Sequence, residues 1–210
     1  MPLELDPAQD EVVGMLALAP SQVSDLAVFR EMLIEANARM NLVATASLTQ
    51  FWRRHVLDSA QLLGHAPEAR VWADLGAGAG FPGLVLAILL KCEAGARVHL
   101  VESQAKKCRF LDEVVTALGL PAQVHNARAE SLKLKVEVVT ARACAPLARL
   151  LGFAAPYLQR GAKAMFLKGE GVAGEIVVAR KTWGFDAVTH PSLSDPRGRI
   201  LMVSQVTRGG

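Results

Sequence analysis

The sequence predicts an α/β fold: a mostly parallel sheet with helices on both faces, an antiparallel strand at its carboxyl end, and an N-terminal helical extension before it. Three observations point there. From Arg70 onward, short β-prone runs alternate with helical ones, and such alternation builds a parallel sheet covered on both faces. A turn with glycine at every second position, Gly76, Gly78 and Gly80, joins the first of those strands to its helix. The first sixty-odd residues contain no strand-like run. The expected organisation is a helical extension over residues 1–69 packed on a core spanning 70–210.

Each element has its own sequence signal. Val12 to Ala19 is a short apolar run. Ser21 and Ser24 can cap a helix through LAVFREMLIEANARM, which sets Leu26, Phe29, Leu33 and Ala36 on one face. A third helix runs through LTQFWRRHVLDSAQLL and stops near Gly64, with Pro67 beyond it. Five strands follow, VWADL, ARVHLVE, AQVHNA, VEVVTA and AKAMFLK, interleaved with the helical GLVLAILLK, AKKCRFLDEVVTALG and PLARLLGFAAPYLQ. WGFDAVTHP and RILMVSQVT read as two strands joined through SDPRGR, able to add an antiparallel edge.

Composition narrows the function classes. No apolar run reaches the eighteen or so residues of a bilayer span, the longest being LVLAILL from Leu84 to Leu90, and the amino terminus is acidic. A cytoplasmic protein that does not bind membranes is expected. Cys92, Cys108 and Cys144 are odd in number and lack C-x-x-C spacing, so reduced thiols and no metal site are expected, with Cys144 a small packed residue. The net charge of +3 is unevenly spread. Residues 1–70 hold 5 Lys or Arg against 9 Asp or Glu, and residues 71–210 hold 18 against 11. A basic part of this kind is compatible with a polyanion such as RNA.

The glycine turn lies where open parallel sheets bind ligands, past the carboxyl end of the first strand. Gly-Lys-Ser/Thr is absent, which excludes a P-loop. Gly78, Gly80 and Gly83 spell the dinucleotide pattern G-x-G-x-x-G. Asp74, Gly76, Gly78 and Gly80 spell the acid-x-G-x-G-x-G turn with which class I methyltransferases hold S-adenosylmethionine, and an acid there suits a cationic ligand. Glu102 closes the second strand twenty-two residues past Gly80, where a carboxylate can accept the ribose hydroxyls of either ligand.

Beyond single motifs, ANARMNLVA, RHVLDSAQL, ADLGAGAGFPGLVLA, VESQAKKCRFLDEV, ARAE, TARACAPL and FLKG, in this order, resemble the ribosomal RNA small subunit methyltransferase G family, also called glucose-inhibited division protein B. The resemblance runs from about Asn37 to about Gly169, with phenylalanine at position 81 where leucine is common in the family. It implies a class I S-adenosylmethionine-dependent methyltransferase fold, Rossmann-like, and a bacterial enzyme that methylates N7 of one guanine in the decoding-region loop of 16S rRNA. The implied partner is 16S rRNA or the small ribosomal subunit, assembling or mature; no obligate protein partner is evident in the sequence, and a monomer is expected. Cofactor contacts implied by the resemblance fall on Gly76, Phe81, Ala129, Glu130 and Arg142.

Arg54, His55 and Asp58 share a helical face. That face is either an intrahelical ion pair on a solvated surface or a lid over the cleft, the reading the resemblance favours. With Arg142, His55 and Asp58 are the candidates for a catalytic role, though guanine N7 carries no proton at neutral pH and needs no general base. Candidate RNA contacts are Lys106, Arg109, Lys168, Arg197 and Arg199, with Arg53 and Arg54 as the alternative surface. Phe51, Trp52 and Phe81 are candidate stacking partners for a splayed base, or core residues. Two other functions fit the fold: an NAD(P)-dependent oxidoreductase and a non-catalytic RNA-binding module. The first lacks a Tyr-x-x-x-Lys pair, since Tyr157 is followed by Leu158, Gln159, Arg160 and Gly161.

Overall fold

The computed structural model describes residues 6–209. Seven strands form one sheet in the order β3-β2-β1-β4-β5-β7-β6. They are β1 (Val71–Leu75), β2 (Arg97–Glu102), β3 (Ala122–Asn126), β4 (Val138–Arg142), β5 (Lys163–Lys168), β6 (Trp183–Pro191) and β7 (Arg199–Arg208). Strands β1 to β5 pair in parallel, and β7 runs antiparallel between β5 and β6. The strand order reverses at β1, so a crevice opens above its carboxyl end between the β2 and β4 connections.

Alternation along the strands divides the core in two. Val98 and Leu100 of β2 join one apolar cluster with Leu84 and Ile88 of α5 (Gly83–Leu89) and Phe110, Leu111 and Val114 of α6 (Ala105–Leu118). Val101, with Val139 and Ala141 of β4, joins a second cluster with Leu150, Leu151 and Ala154 of α7 (Leu147–Leu158). Successive side chains of a strand point to opposite faces, so a sheet covered on both sides needs both sets apolar.

The N-terminal helices extend the first cluster. In α2 (Pro20–Met40), Leu26, Phe29, Leu33 and Ala36 are buried against it, as their spacing requires. This helix begins earlier than its serines suggest. Pro20 opens it, and the Gln22 side chain accepts the Ala19 N–H at 2.9 Å while donating to the Leu89 carbonyl at 3.1 Å. Ser21 and Ser24 lie inside the helix, so one glutamine replaces both expected caps. The expected run from Val12 is instead α1 (Gln9–Leu16), ended by Ala17 at φ 48°.

The third N-terminal helix is not continuous. It is a short turn, α3 (Thr45–Leu48), then a π-helix over Phe51–Leu57, then α4 (Asp58–His65). Asp6, buried, takes the Trp52 N–H at 2.8 Å, capping the π-helix from a distant part of the chain. One helix has no sequence expectation behind it: α8 (Val172–Ala179). Gly169, Gly171 and Gly174 read as breaks, and although the segment is apolar only Val172 and Ala179 are buried, with Val177 and Val178 exposed, so it lacks a one-sided helical pattern. No described helix is long and apolar enough to cross a membrane.

Gly83 shows how tightly β1 meets α5. A Cβ there would run into Leu100 Cδ2 and lie 2.8 Å from Asp74 Oδ2. The expected outcome of Gly83→Ala is a loss of about 1–3 kcal/mol, read as a lower urea midpoint with unchanged slope; an unshifted midpoint would show that the β1–α5 contact yields freely.

Candidate functional site: a cleft at the carboxyl ends of the strands

A cleft of about 1640 Å³ opens over the carboxyl ends of β1, β2, β4 and β5. Its floor is the glycine turn. Gly76, Gly78 and Gly80 have φ values of 74°, 55° and 94°, a region side chains avoid. The Gly76 and Ala77 N–H groups both donate to the Val101 carbonyl, at 2.8 and 3.0 Å, which lashes the turn to β2. The three glycines have different neighbours. At Gly76 a Cβ would lie 2.5 Å from Cys144 Sγ, and at Gly80 it would strike Leu84. At Gly78 only the Gly76 carbonyl lies within reach, at 3.6 Å. Gly78 therefore leaves open the space a ligand would fill, and Gly80, outside the cleft lining, serves local packing.

The two carboxylates of the nucleoside pattern separate. Glu102 lines the cleft, buried, and accepts the N–H groups of Gly78 at 3.1 Å and Gln104 at 2.8 Å. Asp74 does not reach the cleft, contrary to its expected role facing a cationic ligand. It lies fully buried beneath the turn, where Oδ2 accepts the Gly83 N–H at 2.8 Å and Oδ1 has no partner among the described residues. Burial pushes its pKa up to about 7, against the pull of the Gly83 hydrogen bond and of Arg142.

Arg142 projects from the end of β4 under the π-helix. One guanidinium nitrogen donates to the Arg54 carbonyl at 3.0 Å and to Asp58 at 3.3 Å, and the other to His55 Nδ1 at 2.9 Å. The network assigns the histidine tautomer. Ser47 Oγ donates to the Ala44 carbonyl at 2.7 Å, so it accepts from His55 Nε2 at 3.1 Å, leaving Nδ1 as acceptor for Arg142. Burial first, then the charges of Arg142 and Arg54, lower the His55 pKa to about 3. His55 is a neutral acceptor here. Its ring stacks on Phe81 at 4.3 Å between centroids, and the Arg142 guanidinium carbon lies 4.7 Å from the same ring.

This arrangement revises several expectations. Arg54 contributes its carbonyl, while its exposed side chain makes no ion pair with Asp58 among the described residues. Of the two readings of Phe51, Trp52 and Phe81, burial of all three selects core residues over a free stacking platform. Cys144 is exposed at the cleft wall instead of packed. Ala129 and Glu130 lie in a 3-10 turn outside the cleft lining, where the Ala129 carbonyl accepts the Tyr157 hydroxyl at 2.9 Å. Of the basic candidates, Arg53, Arg54, Lys168 and Arg197 line the cleft, and Lys106, Arg109 and Arg199 do not. Lys107, one residue round the helix from Lys106, does. Arg53 pairs with Glu11 at 2.9 Å, and Lys168 is held by Glu175 at 2.8 Å and the Ala145 carbonyl. Arg197 keeps 72% of its side chain exposed beside Asp195.

Sequence reading placed the β6–β7 loop but missed Gln61 and the serines by which that loop binds the site. Gln61, buried, accepts the Leu193 N–H at 2.8 Å and donates to Ser192, and Ser194 donates to Asp58 at 2.7 Å. The serines of PSLSDP were the available signal.

Two buried groups oppose each other in pH dependence. Asp74 holds its proton in the folded state up to about pH 7 but releases it near 3.8 when unfolded, so its contribution falls as pH rises through that window. His55 titrates near 3 folded and 6.5 unfolded, so its contribution grows across an overlapping window. Asp74→Asn removes the first alone. Urea unfolding from pH 4.5 to 7.5 should show the variant gaining on the parent as pH rises; a constant difference would mean Asp74 is ionised in both states.

Comparison with known proteins agrees with this architecture. A family model described as rRNA small subunit methyltransferase G matches residues 22–199. The Ribosomal RNA small subunit methyltransferase G of Caulobacter vibrioides is 57% identical over 195 residues, 93% of this chain and 90% of that one. That of Parvibaculum lavamentivorans is 52% identical over 168 residues, covering 78% and 74%. Among solved structures, a SAM dependent methyltransferase from Aquifex aeolicus has a TM-score of 0.58 at 15% identity, covering 81% of this chain and 98% of that one. A point mutant of MtNAS in complex with S-adenosylmethionine has a TM-score of 0.55 at 16% identity, covering 93% and 83%. The fold is that of the S-adenosylmethionine-dependent methyltransferases, and the chain belongs to the rRNA small subunit methyltransferase G family.

Proposed function

We propose that this chain transfers a methyl group from S-adenosylmethionine to N7 of a guanine in the decoding-region loop of 16S rRNA, acting as a monomer in the cytoplasm on the RNA or the small subunit. The observation that carries this reading is the convergence of Gly78, Glu102 and Arg142, from three separate strand ends, on one cleft. Open space at Gly78 accommodates the close approach of a ligand, and the Glu102 carboxylate beside it suits ribose hydroxyls. When bound, S-adenosylmethionine supplies an electrophilic methyl on a sulfonium.

The chain's own groups then have to align a base with that methyl, an effect worth up to ~7–11 kcal/mol in favourable cases. No group needs to remove a proton, because N7 presents a lone pair. His55 acts as the acceptor that fixes the guanidinium of Arg142, since both its nitrogens are already engaged. The hydride-transfer alternative loses its one phenol: Tyr157 is buried and bonded to the Ala129 carbonyl, away from the cleft. Methyl incorporation into 16S rRNA, with mass mapping of the product, tests the proposal and separates it from a non-catalytic RNA-binding module. No incorporation by folded, cofactor-bound protein would support the module.

Gly78→Ala adds a methyl to the open space without striking protein atoms, at a cost of about 1–2 kcal/mol of left-handed backbone strain, so its folding is checked first by urea unfolding. Calorimetry should show a folded variant with S-adenosylhomocysteine affinity reduced roughly 10- to 100-fold; full affinity would move the ligand off the turn. Gly76→Val is a poorer test, because its side chain would meet Cys144 in the free protein.

For RNA, Arg197 is the candidate with a side chain mostly free in solvent at the cleft mouth. Arg197→Ala should flatten the log–log salt dependence of RNA affinity by about 0.7–0.9. Lys168→Ala should instead lower stability, since it strands Glu175. Parent slopes in both of these and in the double Lys106→Ala/Arg109→Ala would point instead to the face bearing Arg53 and Arg54.

A further inference from the structure

Six carboxylates line the cleft: Asp6, Asp58, Glu102, Glu170, Glu175 and Asp195. Five are committed within the fold. Asp6 accepts the Trp52 and Ala8 N–H groups, Asp58 accepts from Ser194 and Arg142, and Glu102 accepts from Gly78 and Gln104. Glu175 accepts the Leu147 N–H at 2.6 Å and pairs with Lys168, and Asp195 accepts the Arg197 N–H at 2.8 Å. Glu170 is exposed and makes no hydrogen bond or ion pair among the described residues, although its charge is felt by Arg197.

Its position is also distinct. Glu102 ends β2, on one side of β1, whereas Glu170 follows β5, two strands away on the other side. A nucleoside held by Gly78 and Glu102 leaves the β4–β5 half of the cleft for the acceptor base. We propose that Glu170 is a specificity-determining residue, accepting the Watson–Crick edge of the target guanine. The inference rests on the guanine-N7 reading above.

The chemistry follows from the base itself. With N7 turned toward the methyl donor, N1–H and the N2 amino group lie on the opposite edge as adjacent donors. A carboxylate accepts both in parallel, a pairing adenine, cytosine and uracil cannot reproduce. As the sulfur–methyl bond breaks and the N7–methyl bond forms, one positive charge passes from sulfur to the guanine ring, and no proton leaves. An anion hydrogen-bonded to that ring therefore gains attraction in the transition state and raises kcat as well as binding. Arg197, which lines the same cleft with most of its side chain in solvent, is available to the phosphate of the same nucleotide.

The test uses small subunits reconstituted with 16S rRNA carrying guanosine or inosine at the methylated position, since inosine lacks only the N2 amino group. Losing one hydrogen bond to a charged acceptor should cost the parent protein about 10- to 100-fold in kcat/KM on inosine. Glu170→Ala should lose at least as much on guanosine, and its further loss on inosine should shrink to within about threefold. Glu170→Gln should fall in kcat, and S-adenosylhomocysteine affinity should stay at the parent value in both variants. Parent-like kcat/KM on guanosine, or an undiminished inosine penalty in Glu170→Ala, would overturn the role of Glu170. Failure of the parent itself to methylate the guanosine subunit would instead overturn the underlying reading.

Discussion

One half-buried cation holds three parts of this chain together. Arg142 leaves the sheet at β4, takes its acceptors from the π-helix, and shares Asp58 with the β6–β7 loop. A guanidinium buried without partners would carry a desolvation cost of several kcal/mol, and only one of its three acceptors is an anion. The neutral two, a carbonyl and an imidazole nitrogen, depend on geometry alone. Burial also lowers the Arg142 pKa, opposed by the Asp58 charge. The cleft wall therefore stays in place only while the N-terminal helices, strand β4 and the C-terminal loop are all docked.

The turn beneath it follows a different economy. Asp74, Gly83 and Leu100 meet with no space between them, and Glu102 reaches across to the N–H of Gly78. Acids at the ends of β1 and β2 thus do unlike things: one braces the turn from below, the other borders the cavity. Of the three glycines read as one ligand-approach device, only Gly78 is open, while Gly76 and Gly80 are hemmed in by Cys144 and Leu84.

How far the sequence discloses this depends on the range of the interaction. Strands β1, β2, β4 and β5 were legible because their apolar runs report burial directly; β3, with no buried residue, was legible only as a short β-prone run after Pro121, and the glycine turn announced the crevice. Helix α8 was not legible, because Gly169 and Gly171 precede it, Gly174 interrupts it and it buries two side chains. The Arg142 clamp was half legible. His55 and Asp58 stood out as a motif, but their partner lies 87 and 84 residues away, and no local pattern reveals such a pairing. Asp74 and Glu102 look alike on paper and differ only in which way the backbone turns them. Lys107 faces the cleft while Lys106 does not, a matter of helical phase that the sequence carries but that needs the cleft's location to interpret.

Strand β7 is synthesised after β6 yet lies between β5 and β6. The sheet therefore cannot be completed in the order in which it is translated: β6 has no edge to pair with until β7 has been made. The loop bearing Ser194 and Arg197 joins these two strands, so the mouth of the cleft takes its final form only when β7 slides between β5 and β6.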